Sequence, residues 1–124
     1  MLLDSNILIY GSKGEDAALD AILDRTDLSV ASVSRIETLG YDHLTEIEQQ
    51  WLEIAFDRMS VLPLDEAIVE RAIELRRTRM MKLGDAIIAA TALIHNLELV
   101  TRNIDDFKHV EGLKVRNPFA PPSG

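Results

Sequence analysis

The chain has no cysteine among its 124 residues, which excludes disulfides and thiolate zinc sites. It also lacks a long hydrophobic run. The longest, Ala86 to Ile94, is interrupted by Thr91 and falls far short of the ~20 apolar residues that a bilayer requires. Met1 leads straight into Leu2-Leu3, without a basic region or a small-residue cleavage site, so no leader is expected. These absences point to a cytoplasmic protein with no membrane partner. Basic charge is scarce: 13 Lys and Arg stand against 21 Asp and Glu, a net charge of −8. A protein that holds nucleic acid on a broad basic surface is therefore excluded, though an enzyme that touches it transiently is not. There is no internal repeat, low-complexity linker, nucleophile elbow, Walker loop or dinucleotide glycine fingerprint.

What is present fits one globular domain. The length supports a single core, and 47% hydrophobic with 27% charged residues is ordinary for a folded chain. Short apolar runs at Leu2-Leu3, Leu28 to Ala31, Ser60 to Leu62, Leu97 to Val100 and Leu113 to Val115 read as strands. Between them, helical spacing appears in Glu15 to Arg25, from Ser34 towards Gly40, after Thr45, after Asp65, and from Asp85 to near Asn96. Gly11 to Gly14 reads as a loop. Thr45 and Glu48 form a capping-box pattern, and Ile47, Trp51, Ile54 and Ala55 share a face of the helix it opens. Strands alternating with helices predict an α/β fold with a parallel sheet covered on both faces. We expect a single domain over residues 1–117 and an irregular tail over 118–124.

Four acids carry the functional signal: Asp4, Glu37, Asp85 and Asp106. Each has a structural explanation alone. Asp4 could stop a strand and cap a helix, and Ser34 with Glu37 fits a capping box. Asp85 could be an N-cap, and Asp106 could close a turn begun at Asn103. Together they form a pattern, because in an open α/β sheet the strand ends converge on one crevice. Clustered carboxylates repel each other, and a divalent cation relieves that. Hard oxygen donors without Cys or His select Mg²⁺ or Mn²⁺. Such an ion can activate water towards a phosphodiester, alone or with a second ion roughly 4 Å away. Asp4 and Asp85 are the primary expected ligands, with Glu37 and Asp106 as further ones. Asn6, Thr101 and Asn103 could supply supporting contacts or meet a substrate phosphate.

Other features are weighed against blander roles. Arg71, Arg76, Arg77, Arg79 and Lys82 lead up to Asp85; a solvated helix face is the simpler reading, phosphate contacts the functional one. His43 and His109 read as exposed loop residues and His95 as a cation at a helix C-terminus, so a histidine acid–base pair is not expected.

The motifs resemble the PIN-domain ribonucleases, in particular the VapC-type toxins of toxin–antitoxin pairs. The matching stretches are Leu3-Asp4-Ser5-Asn6-Ile7, Ser34-x-x-Glu37, Leu83 to Ala92, Val100-Thr101-Arg102-Asn103-x-x-Asp106-Phe107, and Val110 to Val115. They span the whole chain in the family's order, and the stretch around Asp85 is the most specific. The resemblance implies a three-layer α/β/α sandwich with a central, mainly parallel sheet of four to five strands. It implies that Asp4, Glu37 and Asp85 are the family's acidic triad, with Asp106 as the more variable fourth acid, for which Asp105 could substitute. The expected activity is that of a Mg²⁺- or Mn²⁺-dependent endoribonuclease acting on structured RNA, as its relatives do on tRNA or rRNA. A cognate antitoxin is expected to inhibit it, with homodimerisation and a larger complex. Leu44, Ile47, Trp51 and Ile54 could wall a groove for an amphipathic antitoxin segment. Of these, Ile47 and Ile54 are expected mainly in the core and Trp51 at the interface.

The alternative keeps the fold without the chemistry, as a PIN-like module that binds RNA or antitoxin without cutting. A receiver domain is disfavoured, because it pairs acids after its first strand and has no use for Glu37 or Asp85. A haloacid-dehalogenase-type phosphatase needs a second aspartate where Asn6 stands.

Overall fold

The computed structural model of the chain describes residues 1–119. Five short strands form one sheet: β1 (Leu2–Leu3), β2 (Ser29–Ala31), β3 (Ser60–Leu62), β4 (Leu99–Val100) and β5 (Val115–Arg116). Their order is β3-β2-β1-β4-β5, and every pairing is parallel. The chain thus winds outward from β1 through β2 to β3, then crosses back to lay β4 against the other side of β1. The boundary between β1 and β4 is the switch point, where the loops leaving the two strands part and open a crevice.

Alternation along the strands divides the core into two layers. Leu2, Ala31 and Leu99 face one side of the sheet, while Leu3, Val30 and Val100 face the other. The first side is covered by α5 (Glu66–Thr78) and α6 (Leu83–Ile94). The second is covered by α1 (Ser5–Lys13), α2 (Ala17–Leu23) and α4 (Glu46–Arg58). The remaining helix, α3 (Ser32–Leu39), touches α1, α4 and α6 and so bridges the two layers. The expected three-layer sandwich is therefore present, with five strands. Residues Ala86 to Ala92 of α6 are all buried, which accounts for the most apolar run in the chain. A helix hydrophobic on every side is stable only when it is enclosed.

Polar side chains close several helix ends, as expected at Asp65 and at Thr45 with Glu48 and without a prior expectation at Asp16. Asp16 and Asp65 accept from Leu19 and Ile68 backbone N–H groups, and Thr45 with Glu48 forms a complete capping box.

Other expectations are corrected. The segment read as a loop from Gly11 is the last turn of α1, which continues to Lys13 and ends on a left-handed Gly14. Helix α6 begins at Leu83 with Lys82 at its cap position, so Asp85 is not an N-cap. Helix α3 has no side-chain cap at all, and Ser34 and Glu37 do not form a capping box. Ile47 and Ile54, expected in the core, are 77% and 60% exposed. His109 is half-buried rather than exposed, and its ring nitrogens have no hydrogen-bond partner among the described residues. The fifth strand, Val115–Arg116, begins two residues later than expected and ends one later. At the C-terminus, Pro118 and Phe119 of the expected tail form a turn, with Phe119 packed on the second core layer. Residues 120–124, the rest of that tail, lie outside the described residues. No helix is long and apolar enough to cross a membrane among the described residues.

Candidate active site

The crevice at the switch point is built first by Asp4, the residue that follows β1. Its backbone N–H donates to the Val100 carbonyl at 2.9 Å, continuing the β1–β4 ladder by one step. The chain then turns into α1, and Asp4 caps it: one carboxylate oxygen accepts from the Ser5 N–H at 2.8 Å. The other accepts from the Thr101 hydroxyl at 2.7 Å. Thr101 follows β4 directly and is fully buried, so the ends of two adjacent strands are tied together by this hydrogen bond. Asp4 is itself only 5% exposed.

Glu37 arrives from α3. Its carboxylate accepts a 2.7 Å hydrogen bond from the Ser5 hydroxyl, which also lies 2.9 Å from the Ser34 hydroxyl. A serine hydroxyl has one proton. With that proton on Glu37, the buried Ser34 hydroxyl donates to Ser5. The role that sequence reasoning offered for Ser34, capping its own helix, is replaced by holding Ser5 against Glu37. Glu37 in turn lies against Gly84 at the start of α6, where a Cβ would sit 2.5 Å from the Glu37 Oε2. Glycine leaves the space that the carboxylate fills. Asp85 is the next residue, half-buried at the third position of the helix.

Asp106 completes the cluster from the 3-10 turn Ile104–Asp106, whose geometry the Asp106 N–H fixes by donating to the Asn103 carbonyl at 3.1 Å. Its neighbour Asp105 points elsewhere: it is 88% exposed and pairs with Lys108 at 3.0 Å. Of the two, Asp106 is the one whose charge acts on Asp4 and Asp85. Of the supporting residues, Asn103 is tied to the site through its N–H on the Thr101 hydroxyl at 3.1 Å, and the Asn6 amide oxygen accepts weakly from the Arg102 N–H at 3.5 Å.

The electrostatics reflect this convergence. Burial pushes the Asp4 carboxyl above its ordinary value, and the negative charges of Glu37 and Asp106 add to that; the Thr101 and Ser5 hydrogen bonds oppose it. Asp85 is pushed up to about 6, first by burial and then by Asp4 and Asp106, with Glu37 adding to the rise and Lys82 opposing it. Asp4 and Asp85 thus both carry the effect of the neighbouring acids, and at Asp85 the Lys82 charge offsets only part of it. Among the described residues no three such side chains already converge closely enough to cage one ion. The donor set still fits Mg²⁺ or Mn²⁺. These ions are commonly held by one or two carboxylates with water completing the shell, and all donors here are hard oxygens.

Sequence reasoning missed three contributors: Ser5, Ser34 and Gly84. Their signal was present as small residues beside the acids in Asp4-Ser5, Ser34-x-x-Glu37 and Gly84-Asp85, but which acid each serves depends on the fold. The basic run divides. Lys82 acts on Asp85, Arg71 pairs with Glu74 at 3.4 Å, and the Arg76 Nε–H donates to the Met81 carbonyl at 3.2 Å. The expected antitoxin wall also divides. Trp51 and Ile54 line a cleft of about 750 Å³ between α2 and α4, bordered by Leu23, Leu28, Met59 and Arg58. Leu44 is half-buried, packed against the second core layer.

Comparison with known proteins shows what the chain is similar to. A family model described as "PIN domain" matches residues 1–113. Ribonuclease VapC10 of Mycobacterium tuberculosis is 36% identical over 130 aligned residues, covering 98% of this chain and 95% of that protein. Among solved structures, a toxin–antitoxin complex from Klebsiella pneumoniae matches with a TM-score of 0.79 at 30% identity, over 97% of this chain and 98% of that one. VapBC-1 from nontypeable Haemophilus influenzae matches with a TM-score of 0.80 at 24% identity, over 96% and 98% respectively, which is a likeness of fold.

Proposed function

The chain belongs to the PIN-domain family, and from that premise we propose that it is a toxin endoribonuclease whose active site is the crevice between β1 and β4. The observation that supports this most is the convergence of Asp4, Glu37, Asp85 and Asp106, from four separate segments, at the switch point. A module that only bound RNA would gain nothing from unneutralised acid beside a polyanion. An enzyme that recruits a divalent cation would.

In this reading Asp4 and Asp85 hold Mg²⁺ or Mn²⁺, assisted by Glu37 and Asp106. When bound, the ion supplies an activated water and neutralises charge on the scissile phosphate. The chain's own residues prepare the site for it. Thr101 and the Ser5 N–H fix the Asp4 carboxylate through both oxygens. Ser5, backed by Ser34, orients Glu37, and Gly84 leaves Glu37 room to face the crevice. Burial and the neighbouring acids raise the proton affinity of Asp85, which a bound cation would lower.

Cleavage of total RNA by the purified chain tests this. We expect discrete cuts that need Mg²⁺ or Mn²⁺ and cease in EDTA. Asp4→Asn or Asp85→Asn should lower the rate about 100-fold or more, in line with losing a metal-centred catalytic group. Cleavage that survives chelation, or that either variant performs at the wild-type rate, removes the assignment.

The partner in this reading is an antitoxin, since the 30%-identical structural neighbour is a toxin–antitoxin complex. The cleft between α2 and α4 offers it an apolar wall in Trp51 and the exposed Ile54. Ile54→Asp lies outside the acidic crevice and should cleave RNA normally while escaping the cognate antitoxin in co-expressing cells. Full inhibition of that variant would move the docking surface elsewhere.

A further inference from the structure

Arg102 stands immediately after Thr101, on the loop that leads to Asp106, and yet it does not serve the acids. The cation acting on Asp85 is Lys82. The Arg102 guanidinium instead lies 4.7 Å from the Tyr10 ring centre and 4.9 Å from that of Phe119. These two rings meet edge to face, 5.6 Å apart at 73°. The arginine backbone is tied on both sides: its N–H reaches the Asn6 amide oxygen at 3.5 Å, and its carbonyl accepts from the Asn117 side chain at 3.4 Å. Asn117 also accepts from the Phe119 N–H at 2.9 Å, which brings that ring into position. The helix following Asp4, the loop following Thr101 and the segment following β5 are thus joined around one guanidinium.

That guanidinium is exposed and pairs with no carboxylate among the described residues. A guanidinium held over aromatic rings by cation–π attraction leaves N–H donors that can meet phosphate oxygens. It is positioned by stacking and backbone bonds, so it loses little freedom on binding. In a chain of net charge −8, such a fixed cation at the rim of an acidic crevice gives a polyanionic strand one place to be held while its neighbouring phosphate meets the acids.

We propose that Arg102, held between Tyr10 and Phe119, is a phosphate-binding residue that seats the RNA strand beside the carboxylate crevice. This deepens the nuclease reading of the crevice and rests on it. Arg102 contacts substrate away from the reacting atoms, and Tyr10 and Phe119 are positioning residues.

The test pairs binding with cleavage. A labelled single-stranded RNA of about twelve nucleotides, within the usual range of single-strand sites, is titrated into Asp4→Asn protein over a series of salt concentrations. The same titration is made with Asp4→Asn/Arg102→Ala and Asp4→Asn/Arg102→Lys. Removing one phosphate contact should weaken binding about tenfold and lower the log–log salt slope by about 0.7. Lysine should keep the slope but recover only part of the affinity, because it keeps the charge and loses the plane. In the active protein, Arg102→Ala should raise KM for RNA with little change in kcat. Tyr10→Leu should weaken binding less than Arg102→Ala and leave the slope intact. If wild-type protein cleaves RNA but Arg102→Ala leaves both slope and KM unchanged, the inference is overturned and the nuclease reading stands. A lowered Tm in Arg102→Ala with an unchanged slope and affinity assigns the arginine to structure only and overturns it equally. Wild-type protein that neither binds nor cleaves RNA overturns both.

Discussion

The Glu37 carboxylate shows how a site residue can depend on a residue without a side chain. It is exposed, sits on a helix remote in sequence from Asp4, and is held by the Ser5 hydroxyl at 2.7 Å and by the space that Gly84 leaves. The effects of adding one methyl group at Gly84 should separate stability from function. Alanine is favoured over glycine in a helix by about 1 kcal/mol, and the atom a new Cβ meets is the movable end of a side chain. Gly84→Ala should therefore leave Tm unchanged or raise it slightly. It should also swing the Glu37 carboxylate out of place and reduce cleavage by about tenfold, since a misplacement of that scale at a catalytic group costs 10- to 100-fold. Thermal unfolding and RNA cleavage on the same preparation check this. Undiminished cleavage would mean that Glu37 needs no fixed position.

Helix α1 shows why element boundaries were harder to read than the site. Gly11, Ser12 and Gly14 within four residues suggest a turn, yet Gly11 lies inside the last turn of the helix. Its missing side chain is a packing requirement: a Cβ there would sit 2.7 Å from the Leu23 Cδ1 and 3.0 Å from the Trp51 Cη2. Three helices meet at this glycine, and nothing local in the sequence announces a tertiary contact. The same limit applies to α3, where a capping-box spelling is overridden by Ser5 arriving from a distant segment. Where one residue type had one physical use, as with Thr45 and Glu48 or Asp65, reading and structure agree. Exposed Ile47 and Ile54 failed differently, because helical spacing gives a shared face without saying what covers it. From the crowding at Gly11 we expect Gly11→Ala to destabilise the fold. Overpacking costs about 1–3 kcal/mol and outweighs a helix-propensity gain of about 1 kcal/mol, because the Trp51 ring cannot bend away as the Leu23 tip can. Urea unfolding checks the sign, and a stabilised variant would show that α4 shifts freely to make room.

At the scale of the whole molecule, the strand order makes the acids legible as a group. Strands β1 and β4 are neighbours although 95 residues of sequence separate Leu3 and Leu99, and residues just past their ends must share one crevice. Alternating strands and helices foretell this, whereas the contacts of Ser5, Arg102 and Phe119 need the packed molecule. The arrangement costs stability, because burial and three like charges hold Asp85 at about 6, above its ordinary 3.8. The folded chain therefore binds a proton there that the unfolded chain releases. The stability this confers is complete below about pH 4 and is lost as pH rises through about 6, with Asp4 shifted in the same direction. A shift of that size corresponds to about 3 kcal/mol, discounted to about 1 kcal/mol because Asp85 is only half-buried. In EDTA, wild-type Tm should thus fall relative to Asp85→Asn between pH 4 and pH 7, by about 4 °C. A divalent cation should reverse the difference. At neutral pH, Mn²⁺ at about a hundredfold over its Kd should stabilise the wild type by about 2.7 kcal/mol, less at pH 5 where protons compete, and the variant far less. Parallel wild-type and Asp85→Asn curves, with and without Mn²⁺, would show that the four acids neither strain the fold nor hold an ion.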